Sequence, residues 1–270
     1  MKNSIQIHCP TCQQAAGNYC LKIDTYSIYK CSNCGLEYTY PMPTNDKLLS
    51  FYSNYSDIRA DENITKLNAS LNLKTLKKIG LNKQSKILDF GCGRGDFIEV
   101  AGDNCFAIDL IERTHPRIFQ TIEQLPHKKF DCITLWGVLE HLNDIESTMS
   151  LLSSLLENNG YIVITTVNAE GIIPYYHKPP EHLTYWTKES LKILAKNIQC
   201  KIVEISDYSM FQRSDIYFNR LLSRTPNNYS KIISKYISNL PEILTVPTNE
   251  LFIILKKESK VKNMFNSNHT

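Results

Sequence analysis

From Lys86 onward the apolar positions form short runs, "KILDF", "CFAID", "FDCITLW", "GYIVITTVN", "CKIVEIS" and "ELFIILKK". Between them, "DIESTMSLLSSLLEN" and "TKESLKILAKNI" repeat apolar residues at helical spacing. Short strands alternating with helices predict an α/β fold with a mostly parallel, doubly wound, Rossmann-like sheet. Ahead of this, Pro41 and Pro43 stiffen the chain, and Thr44 can cap a helix through Leu48, Leu49 and Tyr52. Residues 54–64 are polar and read as loop. "TKLNASLNLKTLKKIG" then has a helical pattern ending at Gly80, a suitable C-terminal cap. The first forty residues differ, because "GNYCLKIDTYSIYK" alternates like two short strands. The pattern divides the chain into a ribbon over 1–42, a linker with docking helices over 43–84 and a main domain over 85–258. A helical lid insertion is expected at 208–240, and a frayed tail at 259–270. There is no internal repeat.

Composition narrows the class. With 270 residues, 42% of them apolar, the chain can bury a full core. Its apolar runs are too short to span a bilayer and the N-terminus lacks an apolar signal segment, so a cytoplasmic protein without membrane insertion is expected. A net charge of +3 demands neither nucleic acid nor a membrane as partner, although Arg213, Arg220, Arg224, Lys231 and Lys235 make the C-terminal third the most basic. Nine cysteines, an odd number, in a chain without a secretory signal argue against a disulfide framework and raise the question of metal.

Four of these cysteines stand as Cys9-Pro-Thr-Cys12 and Cys31-Ser-Asn-Cys34, with eighteen residues between the pairs. That spacing suits a four-thiolate zinc site, and Gly35 suits the left-handed turn that ends such a knuckle. A closed four-cysteine site has no open position for substrate, so the zinc is expected to be structural. Cys20 is expected to be buried filler. Tyr19, Tyr26 and Tyr29 are expected to cover a small ribbon core, since the sparse charges there give no phosphate-binding stripe.

In a doubly wound sheet, ligands bind beyond the carboxyl ends of the strands, where "KILDFGCGRGDF" (residues 86–97) falls. A phosphate loop would end in Gly-Lys-Ser/Thr, which is absent. A dinucleotide fingerprint would need glycine at position 96, where Asp96 would also face a pyrophosphate badly. The glycines are Gly91, Gly93 and Gly95, preceded by Asp89 and followed by Asp109 at the end of the next strand.

This pattern resembles the class I S-adenosylmethionine (SAM) dependent methyltransferases. The resemblance implies that Gly91, Cys92, Gly93 and Gly95 cradle the amino-acid part of SAM. It likewise implies that Asp89 accepts from the SAM ammonium, Asp109 takes the ribose hydroxyls, Ile122 packs at adenine, and Leu135 and Trp136 line the pocket. "FDCITLWGVLEHLND" resembles the fourth-strand segment of the ubiquinone-biosynthesis-like branch. "CSNCGLEYTYPMP" and "PPEHLTYWTKESL" resemble zinc-ribbon methyltransferases associated with surface-sugar and polysaccharide modification. Two departures stand out: Gly95 to Asp131 is short, implying contracted helices, and Gly137 replaces the first acid of a metal set known in that branch, so no catalytic metal is expected.

Methyl transfer to a hydroxyl benefits from a base. The candidates are His141, one turn past the fourth strand, and His182, in a proline-stiffened loop; each could instead merely pin its own segment. Tyr175, Tyr176, Tyr185 and Trp186 could stack on a sugar or serve as packing. The leading expectation is O-methylation of a sugar, sugar nucleotide or polysaccharide precursor, a small-molecule or glycan acceptor. Carbon transfer ranks lower, because the sister group that performs it carries a further C-terminal domain. The alternatives are an RNA methyltransferase docking through its ribbon and a catalytically inactive binding module.

Overall fold

A computed structural model describes residues 7–15, 17–54, 61–171, 177–222 and 239–258. The strands are β1 (Asn18–Ile23), β2 (Tyr26–Lys30), β3 (Glu37–Tyr40), β4 (Ile87–Phe90), β5 (Cys105–Ile108), β6 (Ile118–Phe119), β7 (Phe130–Trp136), β8 (Leu156–Val167), β9 (Thr184–Tyr185), β10 (Cys200–Arg213) and β11 (Ile243–Lys257). The helices are α1 (Asn45–Ser53), α2 (Glu62–Lys78), α3 (Asp96–Ala101), α4 (Ile145–Ser154), α5 (Lys188–Asn197) and α6 (Ser214–Leu222). None among the described residues is long and apolar enough to cross a membrane.

The main sheet has seven strands in the order β10-β11-β8-β7-β4-β5-β6. β8, β7, β4, β5 and β6 run parallel, while β11 is antiparallel to both its neighbours. The central strands carry near-continuous apolar runs because both sheet faces are covered: Leu88, Ile133, Leu135, Ile162 and Ile164 are fully enclosed. β10 lies at the edge and alternates, with exposed Lys201 and Glu204. From β4 the chain winds outward to β5 and β6 and then returns to the other side of β4 as β7. That reversal places a cleft beyond the carboxyl ends of β4 and β7.

The structure alters several expectations. Residues 208–213 do not begin a helical lid: β10 runs on through them and pairs with β11 from Ser209↔Pro247 to Arg213↔Ile243. The reason lies on α2, where Asn68 donates to the Phe211 carbonyl (3.0 Å) and accepts its N–H (2.7 Å), and Asn72 accepts from the Tyr208 hydroxyl (2.6 Å). Within the former lid range the described helix is α6, and 223–238 lie outside the described residues, as do the tail from 259, Tyr175 and Tyr176. Helix α2 begins earlier than its apolar pattern, capped by the Asp61 carboxylate, which accepts from Asn63 and Ile64 N–H groups. The region after β4 is contracted: α3 has six residues, and a single 3₁₀ turn, Ile122–Gln124, is described between β5 and β7.

The small sheet has the order β1-β2-β3-β9, so a strand from the main domain completes the ribbon. Cys20 is exposed, not buried filler, because its position in β1 faces solvent. Tyr19 is also 58% exposed and meets Tyr29 edge-on, while Tyr29 and Tyr38 stack over the inner face.

Candidate active site

The glycine loop hangs on the ends of β4 and β5. Gly91 and Cys92 N–H groups both donate to the Ile108 carbonyl (2.8 and 3.2 Å), and Gly93 N–H donates to the Asp109 carboxylate at 2.7 Å. Gly91 has φ +73°, and a Cβ there would stand 2.7 Å from a Val138 methyl, so only glycine permits this approach. At Gly93, φ +56°, a Cβ would meet nothing within 4 Å: the backbone borders open space. Asp109 also accepts from Ile111 N–H (2.9 Å) and pairs with Arg113 at 3.7 Å.

Asp89 is 2% exposed, accepts from the Thr134 hydroxyl at 2.6 Å, and is pushed up to about 7 by burial. Two carboxylates beside a glycine loop suit a cationic group and oppose a pyrophosphate. Trp136 closes β7 with its ring 5.4 Å from Phe97, and its buried indole N–H has no hydrogen-bond partner among the described residues. An enclosed donor of this kind fits a polar ligand laid across the strand end. Burial, then Asp89 and Asp109, raise the Cys92 thiol, so it stays protonated and has no nucleophilic character. Leu135 is fully enclosed in the core, where its side chain packs and does not line the cleft. Ile122, in its 3₁₀ turn, is partly buried against that core. Gly95, φ +88°, starts α3.

Beyond β7 lies a second group. A 3₁₀ turn, Leu139–His141, brings Glu140, His141 and the distant His182 together, with one donor atom of each within 4.8 Å of the others. His141 Nδ1 is 2.6 Å from the Glu181 carbonyl and 2.8 Å from the Tyr52 hydroxyl. A carbonyl only accepts, so Nδ1 carries the proton and Nε2 keeps its lone pair. Burial lowers the pKa of His141 and takes His182 down to about 2, with His141 adding to the latter. Both imidazoles are therefore neutral at physiological pH. The rings meet edge-on at 4.9 Å, and His182 Nδ1 is enclosed without a hydrogen-bond partner among the described residues.

Glu140 is 3% exposed, accepts from Thr166 (2.8 Å), and is raised by burial to about 7. Because the folded state then holds a proton that the unfolded chain releases near pH 4.3, Glu140 favours folding at low pH and loses that contribution as pH rises through 7. Relative to wild type, Glu140→Gln should gain about 2–3 kcal/mol between pH 5 and pH 8. Urea unfolding of both proteins at the two pH values measures this; an unchanged difference would show that Glu140 does not titrate there.

Sequence reasoning missed Tyr52, read only as an apolar helix position, and Glu181, whose backbone carbonyl carries no sequence signal. It also missed Glu250, at the mouth of β11 beside β8, raised to about 7 by burial and then by Glu140. Tyr185 and Trp186 are fully buried packing and are not exposed stacking surfaces.

The four ribbon cysteines also converge. Their sulfurs all lie within 4.8 Å, Cys9 to Cys34 at 3.7 Å and Cys12 to Cys31 at 3.5 Å. A tetrahedral ion with bonds of about 2.3 Å needs sulfurs about 3.8 Å apart, so the donor set fits such a cation. Gln13 (φ +58°) and Gly35 (φ +72°) turn the two knuckles, and Gly35 N–H donates to the Cys31 carbonyl at 2.9 Å.

A family model for the methyltransferase domain matches residues 61–205, more than half of the chain. The chain belongs to this methyltransferase family. It is a methyltransferase. No curated protein matches it. Among solved structures it is similar to the 1,6-didemethyltoxoflavin-N1-methyltransferase of Burkholderia thailandensis with bound 1,6-didemethyltoxoflavin and S-adenosylhomocysteine. The identity is 18%, with 90% of this chain and 100% of that one covered and a TM-score of 0.51. A SAM-dependent methyltransferase from Archaeoglobus fulgidus shares 23% identity over 70% of this chain and 94% of that one, with a TM-score of 0.47. The Burkholderia likeness shows the fold of this methyltransferase.

Proposed function

We propose that this methyltransferase transfers a methyl group from SAM to a hydroxyl of a sugar, sugar nucleotide or polysaccharide precursor, with His141 and His182 at the acceptor side and zinc in the ribbon. The observation that carries the reading is the 2.6 Å contact of His141 Nδ1 with the Glu181 carbonyl, which favours a proton on Nδ1 and an unprotonated Nε2 in a buried cluster beyond β7. The sugar class follows from the resemblance of the ribbon and residues 179–191 to surface-sugar methyltransferases.

SAM, when bound, supplies a methyl on a positively charged sulfonium. Gly91, Gly93, Asp89 and Asp109 would hold its amino-acid and ribose ends, and Trp136 would wall the cleft. His141 accepts the acceptor hydroxyl proton at Nε2, while its Nδ1–H stays on the Glu181 carbonyl and steadies the ring. Glu140, raised by burial to about 7, is partly ionised near neutral pH, and its carboxylate would offset the positive charge that forms on His141. Cys9, Cys12, Cys31 and Cys34 would ligate zinc with no position left for substrate, which makes that metal structural.

The test is a labelled-methyl screen over sugar nucleotides, surface glycans and RNA. On the acceptor so found, His141→Ala should lower kcat by roughly 10²–10⁴ and His182→Ala by at least about tenfold. If both variants keep full activity the base assignment fails, and transfer to RNA alone would replace the sugar reading.

A further inference from the structure

The ribbon is built into the wall that carries His182. β3 leaves the second cysteine knuckle and pairs antiparallel with β9, Glu37↔Tyr185 and Tyr38↔Thr184, and Thr39 N–H donates to the Leu183 carbonyl at 2.8 Å. Leu183 N–H in turn donates to the Glu140 carbonyl at 2.7 Å. Helix α5 clamps both knuckles from the other side: the Thr187 hydroxyl donates to the Cys34 carbonyl (2.7 Å) and the Asn197 amide to the Thr11 carbonyl (2.9 Å).

A polar relay runs along the same seam. The buried Glu37 carboxylate accepts from His177 Nε2 at 2.9 Å and from Lys30 at 3.2 Å. The His177 ring meets Tyr185 with centroids 4.5 Å apart. The Tyr185 hydroxyl accepts from Lys178 N–H (2.9 Å) and donates to the His182 carbonyl (3.3 Å), closing the loop between them. Inside that loop lies Glu181, whose carbonyl fixes His141. The glycine loop, by contrast, is tied to Ile108 and Asp109.

We infer that the four-cysteine ribbon is a positioning element for the acceptor half of the site, with Glu37 and Tyr185 as its positioning residues: together they hold the Lys178–His182 loop against His141 and leave the cofactor half to β4 and β5. The inference rests on the acceptor-side reading of His141 and His182. Glu37→Ala removes the ribbon end of the relay. Tyr185→Phe removes only the hydroxyl that closes the loop, at constant shape. Glu37→Gln keeps an acceptor for His177.

Hydrogen exchange and S-adenosylhomocysteine titration on the full chain test it. Glu37→Ala and Tyr185→Phe should speed exchange across 177–186 about tenfold or more, with Glu37→Gln restoring protection. S-adenosylhomocysteine affinity should stay within about twofold, since the cofactor loop is held elsewhere. With an acceptor in hand, the first two variants should lower kcat/KM for that acceptor and spare KM for SAM. Unchanged exchange in Glu37→Ala, or an equal fall in S-adenosylhomocysteine affinity, would overturn the inference. Retained activity in the His141 and His182 variants would instead sink the acceptor reading and leave the exchange result standing.

Discussion

Asp109→Ala should weaken SAM and S-adenosylhomocysteine binding at least about a hundredfold, an effect of about 3 kcal/mol or more. Asp109 directly follows β5 and is 8% exposed. One oxygen accepts from Gly93 N–H and the other from Ile111 N–H. A carboxylate has about four acceptor positions, so those two bonds leave room for a pair of ribose hydroxyls. Hydrogen bonds to a charged group contribute about 1.5–3 kcal/mol each, and alanine would forfeit two of them. The same change frees the glycine loop at Gly93, so the cradle loses its shape as well as its acceptor. Removing the carboxylate that lies 3.7 Å from Arg113 would also turn this end of the sheet more positive against a cationic cofactor. Isothermal titration measures the effect, with Asp109→Asn retaining part of the affinity. Wild-type affinity in Asp109→Ala would show that the cofactor lies elsewhere.

What the sequence revealed followed from strong local signals. The central strands of the main sheet are apolar because both faces are covered, so β4, β7 and β8 are readable without any partner information. The cysteine pairs and the Gly-x-Gly-x-Gly loop have spacing that few other structures require. The failures share a cause, which is that their signal lies in a partner distant in the chain. Asn68 and Asn72 look like solvent-facing helix residues until Phe211 and Tyr208 dock on them, and those contacts turn a supposed lid into strand. Tyr52 reads as an amphipathic helix position, yet its hydroxyl reaches His141 across 89 residues of chain. The Glu181 carbonyl that sets the His141 tautomer belongs to the backbone, on which sequence is silent. β9 is two residues long and gains its meaning only from β3.

The charge arrangement ties the two halves of the cleft together. Asp89, Glu140 and Glu250 are each raised to about 7, with burial the largest cause. Such carboxyls wait for positive charge, and a ligand bearing an ammonium and a sulfonium would draw Asp89 back to its ionised form. SAM binding should then release protons at neutral pH, which links cofactor affinity to pH and separates this site from one built for phosphate.

Gly17→Ala should lower the affinity of the four-cysteine site for zinc about a hundredfold. A Cβ on Gly17 would stand 1.6 Å from the Lys30 carbonyl oxygen, 2.4 Å from its carbon and 2.7 Å from Cys31 Cα. All three are backbone atoms, so no side chain can swing aside. β1 begins at the next residue, where Asn18 pairs with Lys30, and the added methyl would drive it off β2 where the chain enters the second knuckle. Overpacking commonly costs about 1–3 kcal/mol when side chains can give way, and a main-chain collision sits at or above that range. Folding of a four-cysteine site and its zinc affinity are one free energy, so a loss of about 3 kcal/mol lowers zinc affinity about a hundredfold. A chelator competition measures that fall, and S-adenosylhomocysteine titration on the same protein should stay close to wild type because Gly93 and Asp109 are untouched. One zinc held at wild-type affinity by Gly17→Ala would mean that the close approach of Gly17 to Lys30 is not what brings the two cysteine pairs together.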